Sequence, residues 1–191
     1  MPRKPRPRPH AELAVRDRLL DAADRLFYQE GVRAVGIDRV LAEAEAAKAS
    51  LYSHFGCKDE LVAAYVQRRV DGARESIERF MDGVPAEQRA VRFFDWVVKW
   101  AESDDFRGCP LQHLVGEIAD PSHPARAIAS AQRTWFMERM TEWSRAAGVP
   151  HPSRIAGALL VLFDGAIAAT ELDGPQRARD ARWTAQRLLA G

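Results

Sequence analysis

Apolar side chains recur every three or four residues along most of this chain, and no segment alternates apolar and polar residues as a strand would. The spacing predicts a helix over residues 11–30, two short helices within residues 36–58, and a long helix over residues 58–82. Pro and Gly residues then separate five further helical segments, at residues 86–103, 110–118, 124–147, 153–172 and 176–190. The pattern therefore predicts an all-α protein of about nine helices.

The second of the two short helices carries the side chains of a nucleic-acid-binding element. Hydrogen-bond donors occur within about two helical turns at Lys48, Ser50, Tyr52 and His54. A recognition helix in a helix-turn-helix motif has to present such donors to phosphates and base edges. We therefore predict a three-helix DNA-binding domain over residues 11–58 and a larger helical domain over residues 59–191.

The end of this predicted motif, L-Y-S-H-F-G-C-K-D-E-L from Leu51 to Leu61, resembles the L-Y-x-H-F-x-S-K-x-x-L signature of the TetR family of bacterial transcriptional regulators. The resemblance covers roughly residues 15–66. It implies that Lys48 and Ala49 face the bases and that Lys58 contacts phosphate. The full set of DNA contacts that we expect is Arg39, Ala47, Lys48, Ala49, Ser50, Tyr52, Ser53, His54 and Lys58.

The chain departs from the family pattern at three caps and turns. Gly36 stands where a capping Thr or Ser is usual, and Glu45 stands where the turn usually has glycine. Glycine is favoured there because the backbone often needs a positive φ, which costs another residue about 1 kcal/mol. Glu45 therefore predicts either strain or a reshaped turn. Cys57 replaces the Ser of a capping box and is either a tolerated substitution or a redox-active thiol.

The larger predicted domain is rich in aromatic side chains, which either line a ligand cavity or pack as core. We expect a small apolar or aromatic effector and a pocket formed by Trp96, Trp100, Cys109, His113, Gln132, Trp135, Phe136, Met140 and Phe163. The Arg107-Gly108-Cys109-Pro110 segment resembles the start of the sixth helix in one branch of the family. Cys109 there either faces the pocket or is simply buried.

The last two predicted helices correspond to those that pair between protomers in the family. Small residues in the segment 153–172 permit close helix approach, and its large apolar residues supply area. We expect dimer contacts at Leu159, Leu162, Phe163, Ala166, Trp183 and Leu188. The most apolar run, Ile155 to Phe163, is too short to span a bilayer, so we expect a buried helix and no membrane partner.

Charge and cysteine content narrow the class of protein further. The net charge of +1 divides into 11 basic against 8 acidic residues up to residue 58, and 17 against 19 beyond it, so positive charge lies with the predicted DNA-binding end. The two cysteines have no disulfide or zinc spacing, and we expect no metal and no cofactor. The basic start leads into an amphipathic helix, so we expect no signal peptide and a cytoplasmic location.

Together with these features, the resemblance to the TetR family implies a ligand-responsive regulator that binds a palindromic operator as a homodimer. Repression is the usual outcome in the family, and activation fits the same residues. One alternative is a helical enzyme with an apolar pocket, for which Cys109, His113 and Glu117 are the nearest reactive set. Another is a sequence-tolerant architectural DNA binder, although such a protein has no need of a large aromatic-rich domain.

Residues 1–10 form a predicted basic arm, because four cationic side chains alternate with prolines there and no acidic residue is present. The arm either lies along DNA phosphates or is a solubilising tail. An arm on phosphates predicts that deleting residues 1–9 lowers DNA affinity and flattens its salt dependence. Binding titrations at several salt concentrations check this, and an unchanged affinity and slope would indicate a solubilising tail.

Overall fold

The structure, a computed structural model, describes residues 14–190, so the predicted basic arm lies outside the described residues. Within that range the chain forms nine α-helices, one short 3-10 helix at Ala86–Gln88, and no strand, which confirms the all-α prediction. The helices are α1 Val15–Glu30, α2 Ile37–Glu43, α3 Lys48–Phe55, α4 Lys58–Phe80, α5 Arg89–Ala101, α6 Pro110–Glu117, α7 Pro124–Ala146, α8 Pro152–Asp173 and α9 Gln176–Ala190.

The first three helices, here called the head (residues 15–55), pack around a small apolar core. Leu19 of α1, Val40 of α2 and Leu51 of α3 are fully buried in it. The same cluster continues into the first half of α4 and includes Leu114 of α6. The head is therefore seated on the rest of the chain, here called the body (residues 58–190), by a shared apolar surface.

A second apolar core lies in the body, between α5, α7, α8 and α9. Its centre is the ring of Phe93, which lies 5.5 to 6.3 Å, centroid to centroid, from five other aromatic rings: Phe94, Trp96, Phe136, Trp143 and Phe163. Aromatic pairs at these separations stabilise a fold beyond the area that they bury. Most of the aromatic side chains in the body therefore pack in its core, and only some of them are available to a ligand.

Helix α8 has two apolar faces, and the spacing of its residues does not reveal which one is internal. The face that packs against α7 and α9 buries Leu159, Phe163 and Ala166 in the protomer's own core. Our assignment of these three residues to a dimer interface is therefore wrong. Leu162 and Leu188 are half-buried, and Trp183 is exposed.

The other face of α8 is an exposed apolar stripe, made of Ala158, Val161, Gly165, Ala168 and Leu172. The two faces together make α8, among the described residues, long and apolar enough by length and composition to cross a membrane. The apolar run is thus longer than the segment 155–163 that we judged too short. Its composition follows from a helix that is apolar on both its core side and its outer side.

Candidate DNA-binding surface and ligand cavity

Helix α3 presents a row of polar and small side chains to solvent. Lys48, Tyr52, Ser53 and His54 are exposed, with 46% of Tyr52 accessible, and Ser50 is half-buried. Leu51 and Phe55 point the other way into the head core and anchor the helix there. Ala47 and Ala49 are also exposed and leave room beside the first turn. The outer face of α3 is therefore free to approach a DNA groove.

Two other predicted DNA contacts already have partners inside the head. Arg39 is exposed and forms an ion pair with Glu30, with Nη2 2.6 Å from Oε1. The Lys58 ammonium is partly buried, donates a hydrogen bond to the Val32 carbonyl at 2.6 Å, and lies 5.9 Å from the centroid of the Phe27 ring. Lys58 thus ties the start of α4 to the α1–α2 connection, and its contact with phosphate stays a prediction.

A cavity of about 360 Å³ lies where α1 and α4 meet α5, α6, α7 and α8. Six predicted residues line it: Trp96, Trp100, Cys109, Gln132, Phe136 and Phe163. A second, more open chamber of about 520 Å³ shares Cys109, Leu111, Phe136 and Phe163 with the first. The cavity is therefore formed largely by the aromatic set that the sequence indicated, and Cys109 faces it.

Three predicted pocket residues do not line this cavity. His113 instead faces Glu171, with Nε2 3.0 Å from Oε2. Met140 is fully buried in the body core, and Trp135 lies outside the wall with the Arg74 guanidinium 5.2 Å from its ring centroid. Each of these residues lies on a helix that borders the cavity, but its side chain points away from the cavity.

Charged and polar residues of α1 and α4, which the sequence analysis missed, form the remaining wall of the cavity. Asp24 and Tyr28 come from α1, and Arg68 and Arg69 come from α4. Arg69 donates to both carboxylate oxygens of Asp24, at 2.6 and 2.8 Å, and its guanidinium lies 4.0 Å from the centroid of the Tyr28 ring. One wall of the cavity is therefore an ion pair between head and body.

The loop before α6 is held to the head by the Tyr28 side chain. The Tyr28 hydroxyl donates to the Gly108 carbonyl at 3.0 Å and accepts from the Arg107 amide at 3.0 Å. Burial raises the pKa of Tyr28, so the hydroxyl keeps its proton and its donor role at neutral pH. The head, the cavity wall and the start of α6 therefore share one side chain.

The other end of α6 also touches the head. A Glu117 carboxylate oxygen accepts a hydrogen bond from the Arg33 amide at 2.8 Å. The other oxygen would lie 2.7 Å from a side-chain carbon at Gly31, where φ is +91°, so only glycine fits there without movement. Because the first residues of α6 line the cavity and its last residue contacts the α1–α2 connection, α6 links the two sites.

Known proteins share both the head and the complete architecture. Residues 19–65 match the family of bacterial regulatory proteins called the tetR family. The TetR-family transcriptional regulator SCO4454 from Streptomyces coelicolor is 34% identical, with a TM-score of 0.88 over 92% of this chain and 94% of that one. This chain belongs to the TetR family.

Curated relatives of this chain are named as helix-turn-helix transcriptional regulators, and one of them is named as a repressor. The transcriptional regulator LmrA of Bacillus subtilis is 31% identical over 63% of this chain and 66% of its own length. The transcriptional repressor SCO4008 of Streptomyces coelicolor is 27% identical over 62% of this chain and 64% of its own. The chain thus spans just under two thirds of these curated relatives, all of which are named as regulators rather than enzymes.

In this TetR-family protein, the three side chains of the enzyme alternative are not arranged as a catalytic site. Burial raises the pKa of the Cys109 thiol, which disfavours the thiolate that a nucleophile requires. His113 is engaged by Glu171, and Glu117 contacts the head at the far end of α6. These three side chains therefore do not form a nucleophile with its base and orienting group.

The TetR-type turn between α2 and α3 keeps its backbone although Glu45 replaces the usual glycine. Glu45 has a φ of +48°, its amide bonds to the Ala42 carbonyl at 3.3 Å, and the Ala46 amide bonds to the Leu41 carbonyl at 3.0 Å. These two bonds are those of a Schellman cap, which places the residue after the cap in the left-handed region. Of the two expected outcomes, the structure shows strain rather than a reshaped turn.

Replacing Glu45 with glycine should therefore raise the free energy of unfolding by about 1 kcal/mol, because glycine adopts this φ without the Cβ clash. Glu45→Gln is the matched control, since it removes the charge but keeps the strained backbone, and it should change stability by less than about 0.5 kcal/mol. Urea unfolding measures both. A glycine variant no more stable than the glutamine variant would contradict the assignment of strain.

Proposed function

We propose that this protein is a homodimeric, ligand-responsive transcriptional repressor that works in the cytoplasm on a palindromic operator. The observation that carries the proposal is that the head, which bears the solvent-exposed recognition helix, contributes residues to the wall of the aromatic cavity. Tyr28 and Asp24 belong to the head helix α1, yet both also form the cavity wall. Occupancy of the cavity is therefore coupled by direct contact to the position of the head.

The exposed face of α8 supports a dimer. Ala158, Val161, Gly165, Ala168 and Leu172 follow one another at alternating steps of three and four residues, which is the spacing of a helix–helix seam. The seam runs about 20 Å along the helix. Leu172 is 86% exposed, Val161 69%, and Trp183 on the neighbouring α9 59%. A second copy of α8 and α9 would cover these side chains, and the small residues would let the helices approach closely.

In such a dimer the two heads present one α3 each to successive major grooves, about one helical turn apart. Lys48 and Tyr52 then supply the principal contacts, a cation for base edges or phosphate and a hydroxyl donor for phosphate. A ligand in the cavity shifts the equilibrium toward an arrangement of Tyr28, Asp24 and α6 in which the heads no longer fit this spacing. By linkage, operator DNA weakens ligand binding by the same factor.

Lys48→Ala and Tyr52→Ala should each weaken operator binding by about tenfold while the protein stays dimeric, because each removes a donor from the outer face of α3. The operator is first selected from random DNA by the wild-type protein, and affinities are then measured by fluorescence anisotropy. Lys99→Ala is the matched control, since it removes the same charge from an exposed position of the body. Unchanged affinity in both head variants would remove α3 as the recognition element.

Val161→Glu should convert the dimer to monomers at micromolar concentration, because it would bury a carboxylate in an apolar seam. Sedimentation velocity measures the change. Ala131→Glu adds the same charge at an exposed position of α7 and should leave the dimer intact. Equal dimerisation of the two variants, or a monomeric wild-type protein, would refute the α8 interface.

A further inference from the structure

The cavity wall carries hydrogen-bond donors that no described residue uses. Arg69 donates to Asp24 through Nε and Nη2, and within residues 14–190 its Nη1 has no hydrogen-bond partner. Arg68 pairs with Asp21 through Nη1 alone and stands at the same wall. Each of the two guanidinium groups therefore has an aspartate partner, and the Nη1 group of Arg69 is the donor left for a ligand.

A third donor comes from Gln132, which is only 2% exposed. Its side-chain oxygen accepts a hydrogen bond from Arg74 Nε at 2.6 Å, which fixes the orientation of the amide. Its Nε2 group donates to none of the described residues, although the side chain lines the cavity. This free amide donor at the cavity favours a ligand that supplies an oxygen.

We propose that the effector is an amphipathic monocarboxylate, with a flat aromatic body and one anionic end; this rests on the proposed function of the cavity as the effector site. The body would lie against Trp96, Trp100 and Phe136. Its carboxylate would accept from Arg69 Nη1, in the planar geometry that guanidinium groups favour for carboxylates.

A ligand of this class would also alter a contact between the cavity and the head. Asp24 on α1 is the resident partner of Arg69, so a ligand carboxylate competes with Asp24 for the same guanidinium. Binding of the anion weakens the ion pair that ties α1 to α4. Removing the charge of Asp24 should accordingly tighten binding of an anionic ligand.

Isothermal titration calorimetry of the full-length protein with naphthoate and with the neutral naphthamide tests the proposal, because the two probes share one aromatic body. Naphthoate should bind about tenfold or more tightly than naphthamide. Asp24→Asn should increase the preference for the anion. Equal affinity for the two probes, tighter binding of the amide, or no binding of naphthoate would overturn the proposal.

A charge-neutral double variant, Asp24→Asn with Arg69→Gln, removes the guanidinium without leaving a lone carboxylate at the wall. It should bind naphthoate and naphthamide with similar affinity, because the donor to the carboxylate is gone. Arg92→Gln, at an exposed ion pair with Asp95 away from the cavity, should retain the preference. A preference that survives in the double variant would overturn the role of Arg69.

Operator binding by the wild-type protein, measured separately, keeps the two proposals distinct. Naphthamide binding and operator binding without an anion preference would refute only the ligand class. Failure of the wild-type protein to bind any selected operator would refute the proposed function, whatever the calorimetry shows.

Discussion

One pair of hydrogen bonds holds the head to the body beside the cavity: the Tyr28 hydroxyl donates to the Gly108 carbonyl and accepts from the Arg107 amide. Loss of this hydroxyl would leave two backbone groups unpaired in a largely buried place, at a cost of about 1–3 kcal/mol. The Tyr28 ring also packs against the Arg69 guanidinium and lines the cavity. A movement of the head relative to the body would therefore move residues of the cavity wall. The Tyr28 side chain therefore connects the head to the cavity wall.

A second constraint is that several helices have to serve two surfaces at once. Helix α4 completes the head core with Leu61 and Val66, and further along it supplies Arg68 and Arg69 to the cavity. Helix α8 fills the body core on one face and leaves an apolar stripe on the other. Such helices transmit displacement because neither surface can be rearranged independently of the other.

The sequence predicted the features that depend on neighbouring residues in the chain. It did not predict the features that depend on tertiary packing. The spacing of donors on α3 follows from a few consecutive residues. The unusual residue in the turn, Glu45, was also visible there, although only the structure shows that its φ is positive. Asp24 and Arg69 are far apart in sequence, and each one taken by itself has the pattern of a solvent-facing charge on an amphipathic helix. Only the packing of α1 on α4 brings the two side chains together at the cavity. Likewise, an apolar α8 does not reveal which face points inward, so Leu159, Phe163 and Ala166 were misassigned.

The most direct test is the distance between the two heads, measured by pulsed electron paramagnetic resonance with spin labels on the exposed Cys57 of each protomer in a Cys109→Ser background. We predict one narrow distribution for the operator complex, consistent with recognition helices about 34–36 Å apart. We predict a clearly broader distribution, without loss of the dimer, when Tyr28→Phe removes the hydroxyl. Distributions of equal width in the two proteins would contradict the claim that Tyr28 holds the head in place.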